Sequence, residues 1–284
     1  MTDKIAQITS LIEEDFSIFE TELKNTIKTS DNFIKDELCD FVFNNAKFLR
    51  PRLVFLFSKI LKINDPTTTK IALATELLHN ASLIHDDIID VSYFRRGLKT
   101  FNTKYDSKMA VLLGDLLLSL ALKILSKTNS KIIEIFSEKI FETIKGELKQ
   151  NENTKKITDE ETYLKKTYSK TANLFFAGLE SLFVLKEIDE DLKNELKTYL
   201  KNFCLAFQIK NDLKGIKSDF ENGNYTLPLI YYFEENKTLE KNCNLEKYIE
   251  KTKTKINNYK EKATKALKND SIYKNALLEL VEII

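Results

Sequence analysis

Apolar residues recur every three or four positions along most of this chain, which is the spacing of one face of an α-helix. The first such stretch, residues 4–28, contains Ile5, Ile8, Ile12, Phe16, Phe19 and Leu23. Further helical stretches are predicted at 53–61, 67–90, 106–126, 130–150, 189–213, 236–270 and 271–284. No segment alternates apolar and polar residues over a length that would indicate a strand. The pattern predicts an all-α fold of roughly a dozen helices.

Proline and glycine interrupt few of these helices. The chain of 284 residues contains only 6 glycines and 3 prolines, and so few helix breakers argue against a β-rich fold. Pro51 suits the first turn of a helix, where its missing N–H is not needed, and Pro66 precedes another predicted helix. We expect residues 1–284 to form a single domain.

Charge and cysteine content exclude several classes of protein. Lysine and arginine number 44 against 43 aspartates and glutamates, so the chain lacks the basic excess of a nucleic-acid-binding protein. The three cysteines are far apart and form no CxxC pair, which argues against a zinc site or a disulfide framework and fits a cytoplasmic location. No signal peptide is recognised, and no apolar run approaches the roughly 18–20 residues of a membrane span.

The strongest chemical signal is a group of three carboxylates near the end of one predicted helix. Asp86 and Asp90 are four residues apart and therefore project from one helix face, with Asp87 about 100° away. Mg²⁺ is commonly held by one or two carboxylates together with substrate phosphates. Arg95 and Arg96 follow, and their guanidinium groups match phosphate oxygens. The stretch predicts a site for Mg²⁺ and a diphosphate, and a solvated charged turn is the alternative from these residues alone.

Other polar residues point to the same kind of ligand. Glu76, His79 and Ser82 lie on the same stripe of this helix among apolar neighbours, and a buried polar stripe requires partners or a ligand. Lys47 and Arg50 come at the start of another predicted helix, whose first N–H groups favour anions. Each observation has a plainer alternative: a satisfied core histidine in one case, and ordinary surface charges in the other.

Together these motifs resemble the trans-polyprenyl diphosphate synthases, most like their medium- and long-chain bacterial (octaprenyl-type) members. The resemblance runs in order from about Lys47 to Pro228 and includes the whole pattern Glu-x-x-His-x-x-Ser-Leu-x-x-Asp-Asp-x-x-Asp from Glu76 to Asp90. The family's order is also followed by Arg95-Arg96-Gly97, Gly114-Asp115, Gly146-Glu147, Lys170-Thr171-Ala172 and Phe207-Gln208. The resemblance implies a single large helical bundle with a central cavity, the isoprenoid synthase fold.

The resemblance also implies a reaction, in which isopentenyl diphosphate condenses with an allylic diphosphate. The residues implied to hold isopentenyl diphosphate are Lys47, Arg50, His79 and Arg96. Those implied to hold the allylic diphosphate are Arg95, Lys170, Thr171 and Gln208. The implied Mg²⁺ ligands are Asp86, Asp87, Asp90 and Asp212. The residues implied to act directly in catalysis are Asp86, Asp90, Arg95 and Lys170, and the family resemblance further implies a homodimer.

The sequence departs from the family pattern at two motifs. Where the family has Gly-Gly-Lys-Arg-x-Arg-Pro, this chain has Asn45-Ala46-Lys47-Phe48-Leu49-Arg50-Pro51. Where the family has a second Asp-Asp-x-x-Asp, this chain has Asn211-Asp212-Leu213-Lys214-Gly215. An amide oxygen carries no charge, so we expect weaker metal binding on that side. Asp219 is a candidate to reach the same helix face.

In this family, product length depends on the residues four and five positions before the first aspartate. Bulky aromatic residues there stop elongation early, whereas this chain has Ala81 and Ser82. We expect a deep apolar tunnel and a medium-to-long all-trans product, such as a quinone side chain. The alternatives are a short-chain (farnesyl or geranylgeranyl) synthase, a class I terpene cyclase, suggested by the spacing from Asn211 to Asp219, and a non-catalytic synthase subunit.

Overall fold

The structure, a computed structural model, describes residues 2–30, 32–152, 156–221, 223–239, 243–268 and 270–284. Within these ranges the chain forms fourteen α-helices and one antiparallel pair of two-residue strands. The all-α prediction is therefore confirmed. In the described part of the chain, no helix combines the length and the hydropathy needed to cross a bilayer.

The helices, in chain order, are α1 (Thr2–Ser10), α2 (Glu13–Lys28), α3 (Lys35–Phe43), α4 (Leu49–Ile60), α5 (Thr67–Ile89), α6 (Phe101–Lys104), α7 (Ser107–Leu125), α8 (Ser130–Glu152), α9 (Glu160–Leu185), α10 (Glu190–Lys214), α11 (Ile216–Glu221), α12 (Leu227–Asn236), α13 (Glu246–Ala266) and α14 (Ile272–Ile283). A hairpin between α5 and α6 joins β1 (Phe94–Arg95) to β2 (Leu98–Lys99).

The prediction of one helix over residues 4–28 is wrong at its middle. α1 ends at Ser10 and α2 begins at Glu13, and Ile12 between them has a non-helical backbone at φ −130°. The hydroxyls of Thr9 and Ser10 donate to carbonyls of the preceding turn at 2.6 and 2.7 Å. The backbone N–H groups of Leu11 and Ile12 donate to the carbonyls three residues back, at 3.3 and 2.9 Å, so the last turn of α1 is tightened and the helix ends although the apolar spacing continues.

The lysine-rich helix predicted over 236–270 is shorter than expected. α12 ends at Asn236, and the next residue, Lys237, has a left-handed backbone at φ 61°. α13 begins only at Glu246, whose backbone N–H donates to Asn244 Oδ1 at 3.0 Å. The predicted helix therefore begins ten residues later than expected, at Glu246, and ends at Ala266.

The chain divides into two compact units. The N-terminal unit comprises Thr2–Ile135 and Ala177–Glu187, and the C-terminal unit comprises Phe136–Phe176 and Ile188–Ile284. In the N-terminal unit α5 is the central helix, since it packs against α2, α4, α6 and α7. In the C-terminal unit α10 packs along α13. The assignment of residues 1–284 to one domain stays a prediction.

A glycine on α7 allows the end of α5 to approach closely. A Cβ built on Gly114 would come within 2.1 Å of His85 Nε2 on α5, so only glycine leaves room for this ring. The same nitrogen lies 3.4 Å from the Val111 carbonyl. This contact positions the last two turns of α5, which carry the three aspartates, against α7.

A buried ion pair anchors the last helix within the C-terminal unit. Lys274 Nζ on α14 lies 2.5 Å from Glu195 Oε1 on α10, and the two side chains are 8% and 5% exposed. Tyr199, one turn further along α10, donates to the Leu277 carbonyl at 2.8 Å. Removing one partner of a buried pair leaves the other charge uncompensated, so α14 depends on both residues.

Glu195→Gln is expected to lower the free energy of unfolding by about 3 kcal/mol, because the buried Lys274 ammonium would lose its counter-charge. Glu190→Gln on the same helix is the matched control. Glu190 pairs with Lys193, but its side chain is 76% exposed, and exposed pairs contribute little to stability. Urea denaturation measures both variants, and equal losses would contradict the role assigned to the buried pair.

Candidate functional site

Two exposed carboxylates lie one turn apart at the C-terminal end of α5. Asp90 follows the last helical residue, and its backbone N–H donates to the Asp86 carbonyl at 2.8 Å. Asp90 is exposed and Asp86 is partly exposed. Because the C-terminal end of a helix carries partial negative charge, this end of α5 stabilises cations.

Asp87 has a different environment from its two neighbours. Its side chain is 2% exposed, and its Oδ1 accepts a hydrogen bond from Arg95 Nε at 2.8 Å and lies 2.7 Å from Arg95 Nη2. Burial raises the pKa of Asp87, although Arg95 acts to lower it. The Asp87 carboxylate therefore holds the Arg95 guanidinium in a fixed direction.

A tight hairpin carries Arg95 and Arg96. Arg96 and Gly97 form its two-residue turn and both have positive φ, at 52° and 86°. Two successive positive φ values are typical of the type I′ turn, whose twist matches that of the strands. The Arg96 carbonyl accepts from Asn44 Nδ2 at 3.0 Å and from Asn45 Nδ2 at 3.4 Å. The turn is thereby held against the loop that precedes α4.

In this loop Asn45 stands where the family motif has glycine, and Phe48 stands where it has arginine. Asn45 and Phe48 have left-handed backbones, at φ 50° and 46°. Asparagine reaches this region more easily than most residues, whereas a bulky residue is strained there. The Phe48 ring packs on Phe16, Phe19 and Phe43 at centroid distances of 6.1, 5.7 and 5.5 Å. Aromatic packing thus offsets the backbone strain.

The loop leads to Lys47 and Arg50 at the N-terminal end of α4, as the sequence predicts. Lys47 is exposed and Arg50 is partly buried in the first turn of α4. Arg52 Nε donates to the Lys47 carbonyl at 3.0 Å, and its guanidinium lies 4.0 Å from the centre of the Phe16 ring. Arg52 therefore has a structural role, and it fixes the backbone that presents Lys47.

Glu76 and His79 on α5 lie within the electrostatic field of two of the predicted cations. Glu76 is 2% exposed and accepts from Asn80 Nδ2 at 2.9 Å. Burial raises the pKa of Glu76, while Arg50 and Arg96 act to lower it. Burial and the same two arginines hold the pKa of His79 well below its usual range. His79 is therefore a neutral imidazole at pH 7, beside two guanidinium groups and a buried carboxyl group.

A second cluster joins α9 to α10 in the C-terminal unit. Thr171 Oγ1 donates to Gln208 Oε1 at 2.7 Å, and Gln208 Nε2 donates to Asp212 Oδ1 at 2.7 Å. Tyr163 OH donates to the other Asp212 oxygen at 2.5 Å. Burial raises the pKa of Asp212, although the Tyr163 and Gln208 hydrogen bonds act to lower it. Three of the predicted residues thus form one hydrogen-bonded chain.

Two members of this cluster were not identified as site residues from the sequence. Tyr163 is one, and Glu147 is the other, since its Oε1 lies 3.1 Å from Lys170 Nζ. For Tyr163 the sequence did contain a signal. This residue lies seven positions before Lys170, which places both side chains on one face of α9.

The predicted site residues fall into one group in each unit. The N-terminal unit contains Lys47, Arg50, His79, Ala81, Ser82, Asp86, Asp87, Asp90, Arg95 and Arg96. The C-terminal unit contains Lys170, Thr171, Gln208 and Asp212. Across the described ranges, no three side chains of histidine, cysteine, aspartate or glutamate are close enough to hold a metal ion by themselves. The roles of these residues stay predictions.

Known proteins are similar to this chain in sequence. The polyprenyl synthetase family model matches residues 32–267. A prenyl transferase from Cyanidium caldarium is 31% identical over 251 residues, which is 81% of this chain and 76% of that protein. A decaprenyl-diphosphate synthase from Dictyostelium discoideum is 34% identical over 209 residues, 69% of this chain and 46% of that protein.

A solved structure shows the same architecture. The decaprenyl diphosphate synthase from Rhodobacter capsulatus superposes with a TM-score of 0.88 over 98% of each chain, at 24% identity. This likeness confirms the isoprenoid synthase fold that the sequence predicts. With the family model matching most of the chain, the protein belongs to the polyprenyl synthetase family, whose members are enzymes that transfer prenyl groups.

Proposed function

We propose that this protein condenses isopentenyl diphosphate with an allylic diphosphate in a Mg²⁺-dependent reaction and forms an all-trans polyprenyl diphosphate of medium or long chain. The main support is the end of α5, where Asp86 and Asp90 lie next to the carboxylate that fixes Arg95. Carboxylates, a divalent cation and guanidinium groups are together complementary to a diphosphate. The decaprenyl product in the names of two similar proteins supports the chain length.

The end of α5 fits a magnesium ion. Mg²⁺ takes oxygen ligands and is usually bound through one or two carboxylates plus substrate phosphates. Asp86 and Asp90 offer two carboxylates from one side of an electronegative helix end. We assign the metal to these two residues, with Asp87 as the neighbouring third carboxylate. The bound ion would draw charge from the diphosphate as it leaves.

We assign isopentenyl diphosphate to the cations around the start of α4 and to the hairpin. Lys47 and Arg50 lie at a helix N-terminus, where backbone N–H groups add to the attraction for anions. Two asparagine side chains donate to the Arg96 carbonyl and so hold Arg96 in the hairpin turn. His79 is neutral and contributes a hydrogen-bond donor, so it adds directional contact rather than charge.

In the C-terminal unit we assign the allylic diphosphate to Lys170, Thr171 and Gln208. The ion pair of Lys170 with Glu147 is partly exposed, with side chains 37% and 31% accessible. Such a pair is weak in water, so a diphosphate can replace the glutamate as the partner of Lys170. The bond between Thr171 and Gln208 fixes two polar side chains next to it.

The assigned residues bind and orient, and none has to form a covalent intermediate. The allylic C–O bond breaks as the diphosphate leaves, and the π bond of isopentenyl diphosphate attacks the carbocation. The new C–C bond leaves a carbocation on the isopentenyl unit, which loses a proton to the released diphosphate and so gains the double bond of the product. Cations aimed at the leaving group stabilise the charge that develops there, and holding both substrates in line lowers the barrier further.

Asp86→Asn is expected to lower kcat/KM by about a hundredfold or more, because a metal acting as a Lewis acid contributes several kcal/mol to catalysis. The assay follows incorporation of labelled isopentenyl diphosphate into farnesyl diphosphate with added Mg²⁺. Glu134→Gln is the matched control, since Glu134 on α8 is a 63% exposed carboxylate and lies outside the assigned site.

The same assay separates the alternative functions. Wild-type protein that incorporates no label would contradict the proposal and indicate a non-catalytic subunit. Release of diphosphate from the allylic substrate without isopentenyl diphosphate would instead indicate a cyclase. Incorporation that is unaffected by Asp86→Asn would contradict the metal assignment.

We also propose that the growing chain extends along α5 past Ala81. Ala81 is 4% exposed within the packed face of α5. Ser82 is exposed, and its hydroxyl donates to the His79 carbonyl at 2.8 Å. Neither residue carries aromatic bulk that would end the channel, and Ala81 is the position where a larger side chain must intrude among its neighbours.

A series of substitutions, Ala81→Val, Ala81→Leu and Ala81→Phe, is expected to shorten the product progressively as side-chain volume increases. The physical reason is steric, because each added carbon at position 81 takes space that the growing chain would occupy in the proposed channel. Chromatography of the extracted products measures the length distribution. An unchanged distribution, even with lower total activity, would contradict the placement of the channel.

A further proposal is that α7 forms a homodimer interface. Its buried side includes Leu113 and Leu117, yet Val111, Leu112 and Leu122 are 43%, 56% and 48% exposed. A helix that is apolar on all sides is normally buried on all sides. A second copy of the chain would cover this face, as the family resemblance implies.

Leu112→Glu is expected to convert a dimer into a monomer, because it places a charge in an apolar contact. Ile272→Glu is the matched control, since Ile272 on α14 is 59% exposed and lies in the other unit. Light scattering coupled to size-exclusion chromatography gives the mass of each variant. A monomeric wild type, or dissociation of both variants, would contradict the interface.

A further inference from the structure

The second aspartate motif does not fit the metal site that the family resemblance implies. Between positions 211 and 215 only Asp212 carries a carboxylate. Both of its oxygens already accept hydrogen bonds, one from Tyr163 OH and one from Gln208 Nε2. A metal ion at either oxygen would have to compete with these donors.

Residue 215, where the family motif has its third aspartate, is a glycine in this chain, and the Asp219 side chain lies beside it. A Cβ built on Gly215 would come within 3.1 Å of Asp219 Oδ2. The Asp219 backbone N–H donates to the Gly215 carbonyl at 2.9 Å, which continues the helical path from α10 into α11. The Asp219 carboxylate therefore lies beside Gly215, and an aspartate at position 215 would meet it as a like charge.

A lysine supplies positive charge to the same cluster. Lys166 lies three residues after Tyr163 and four before Lys170, so the three side chains share one face of α9. This face meets α10 through the hydrogen bond from Tyr163 to Asp212. Lys166 is partly buried. Burial and the Lys170 ammonium lower the pKa of Lys166, while the carboxylates of Glu147, Asp212 and Asp219 act to raise it.

We propose that Lys166 is the cation of this cluster, where it balances Asp212 and Asp219 and, together with Lys170, binds the diphosphate, while divalent metal binds only at the end of α5. This assignment rests on the proposed function, because it concerns the same diphosphate. An ammonium group fixed by the fold needs no set of carboxylate ligands. Loss of the acidic residues at 211 and 215 is then compatible with substrate binding.

The first part of the test counts bound metal ions. Manganese(II) is titrated, with electron paramagnetic resonance as the readout, into protein saturated with an unreactive allylic thiodiphosphate. Asp86→Asn is expected to reduce the number of bound Mn²⁺ ions. Asp212→Asn is expected to bind the same number as the wild type, because no ion uses that carboxylate.

The second part measures affinity for the thiodiphosphate by isothermal titration calorimetry. Lys166→Gln is expected to raise the Kd of the thiodiphosphate by about tenfold or more, because a hydrogen bond to a charged group is lost. The number of bound Mn²⁺ ions is expected to stay unchanged. Lys165→Gln is the matched control and is expected to leave the Kd unchanged. Lys165 is the adjacent lysine, but it is 74% exposed and pairs with Glu161 at 2.6 Å.

The outcomes distinguish this assignment from the proposed function. Loss of a bound Mn²⁺ ion in Asp212→Asn, or an unchanged Kd in Lys166→Gln, would overturn the role of Lys166 and leave the metal at Asp86 intact. A wild type that binds neither Mn²⁺ nor the thiodiphosphate would overturn both. Thermal unfolding of each variant confirms that it is folded. If Asp212→Asn does not fold, the Kd of Lys166→Gln alone tests the role of Lys166.

Discussion

The end of α5 and the hairpin that follows it depend on the compensation of buried charge, above all through the ion pair of Asp87 with Arg95. The Asp87 carboxylate is 2% exposed, and a carboxylate in that position is costly without a partner. The pair ties the hairpin to α5 and so fixes one arginine near the exposed carboxylates Asp86 and Asp90. Arg96 is then held at the turn by Asn44 and Asn45.

The same constraint is met differently in the C-terminal unit. The Asp212 carboxylate is satisfied by neutral donors, Tyr163 and Gln208, and Lys166 provides the positive charge. Neutral hydrogen bonds and a fixed ammonium group can stabilise a carboxylate without a bound ion. This chain thus keeps the polar residues of the family pattern, Lys170, Thr171 and Gln208. Of the second acidic motif it keeps only Asp212.

The sequence was informative where local chemistry determines the structure and less so where distant contacts do. The long helix carrying Asp86, and the helix begun near Pro51, follow from periodicity and helix-start signals. The break after Ser10 comes with a tightened last turn of α1, in which Leu11 and Ile12 bond carbonyls three residues back, and periodicity does not report such a turn. The bond from Tyr163 to Asp212 joins residues far apart in sequence, and no local pattern predicts such a pairing.

A crystal structure of the protein with Mn²⁺, isopentenyl diphosphate and an unreactive allylic thiodiphosphate tests the central assignment most directly. Anomalous scattering locates the Mn²⁺ ions independently of the protein coordinates. The account predicts that they lie on the carboxylates of Asp86 and Asp90. Mn²⁺ bound at Asp212, with none at the end of α5, would contradict it.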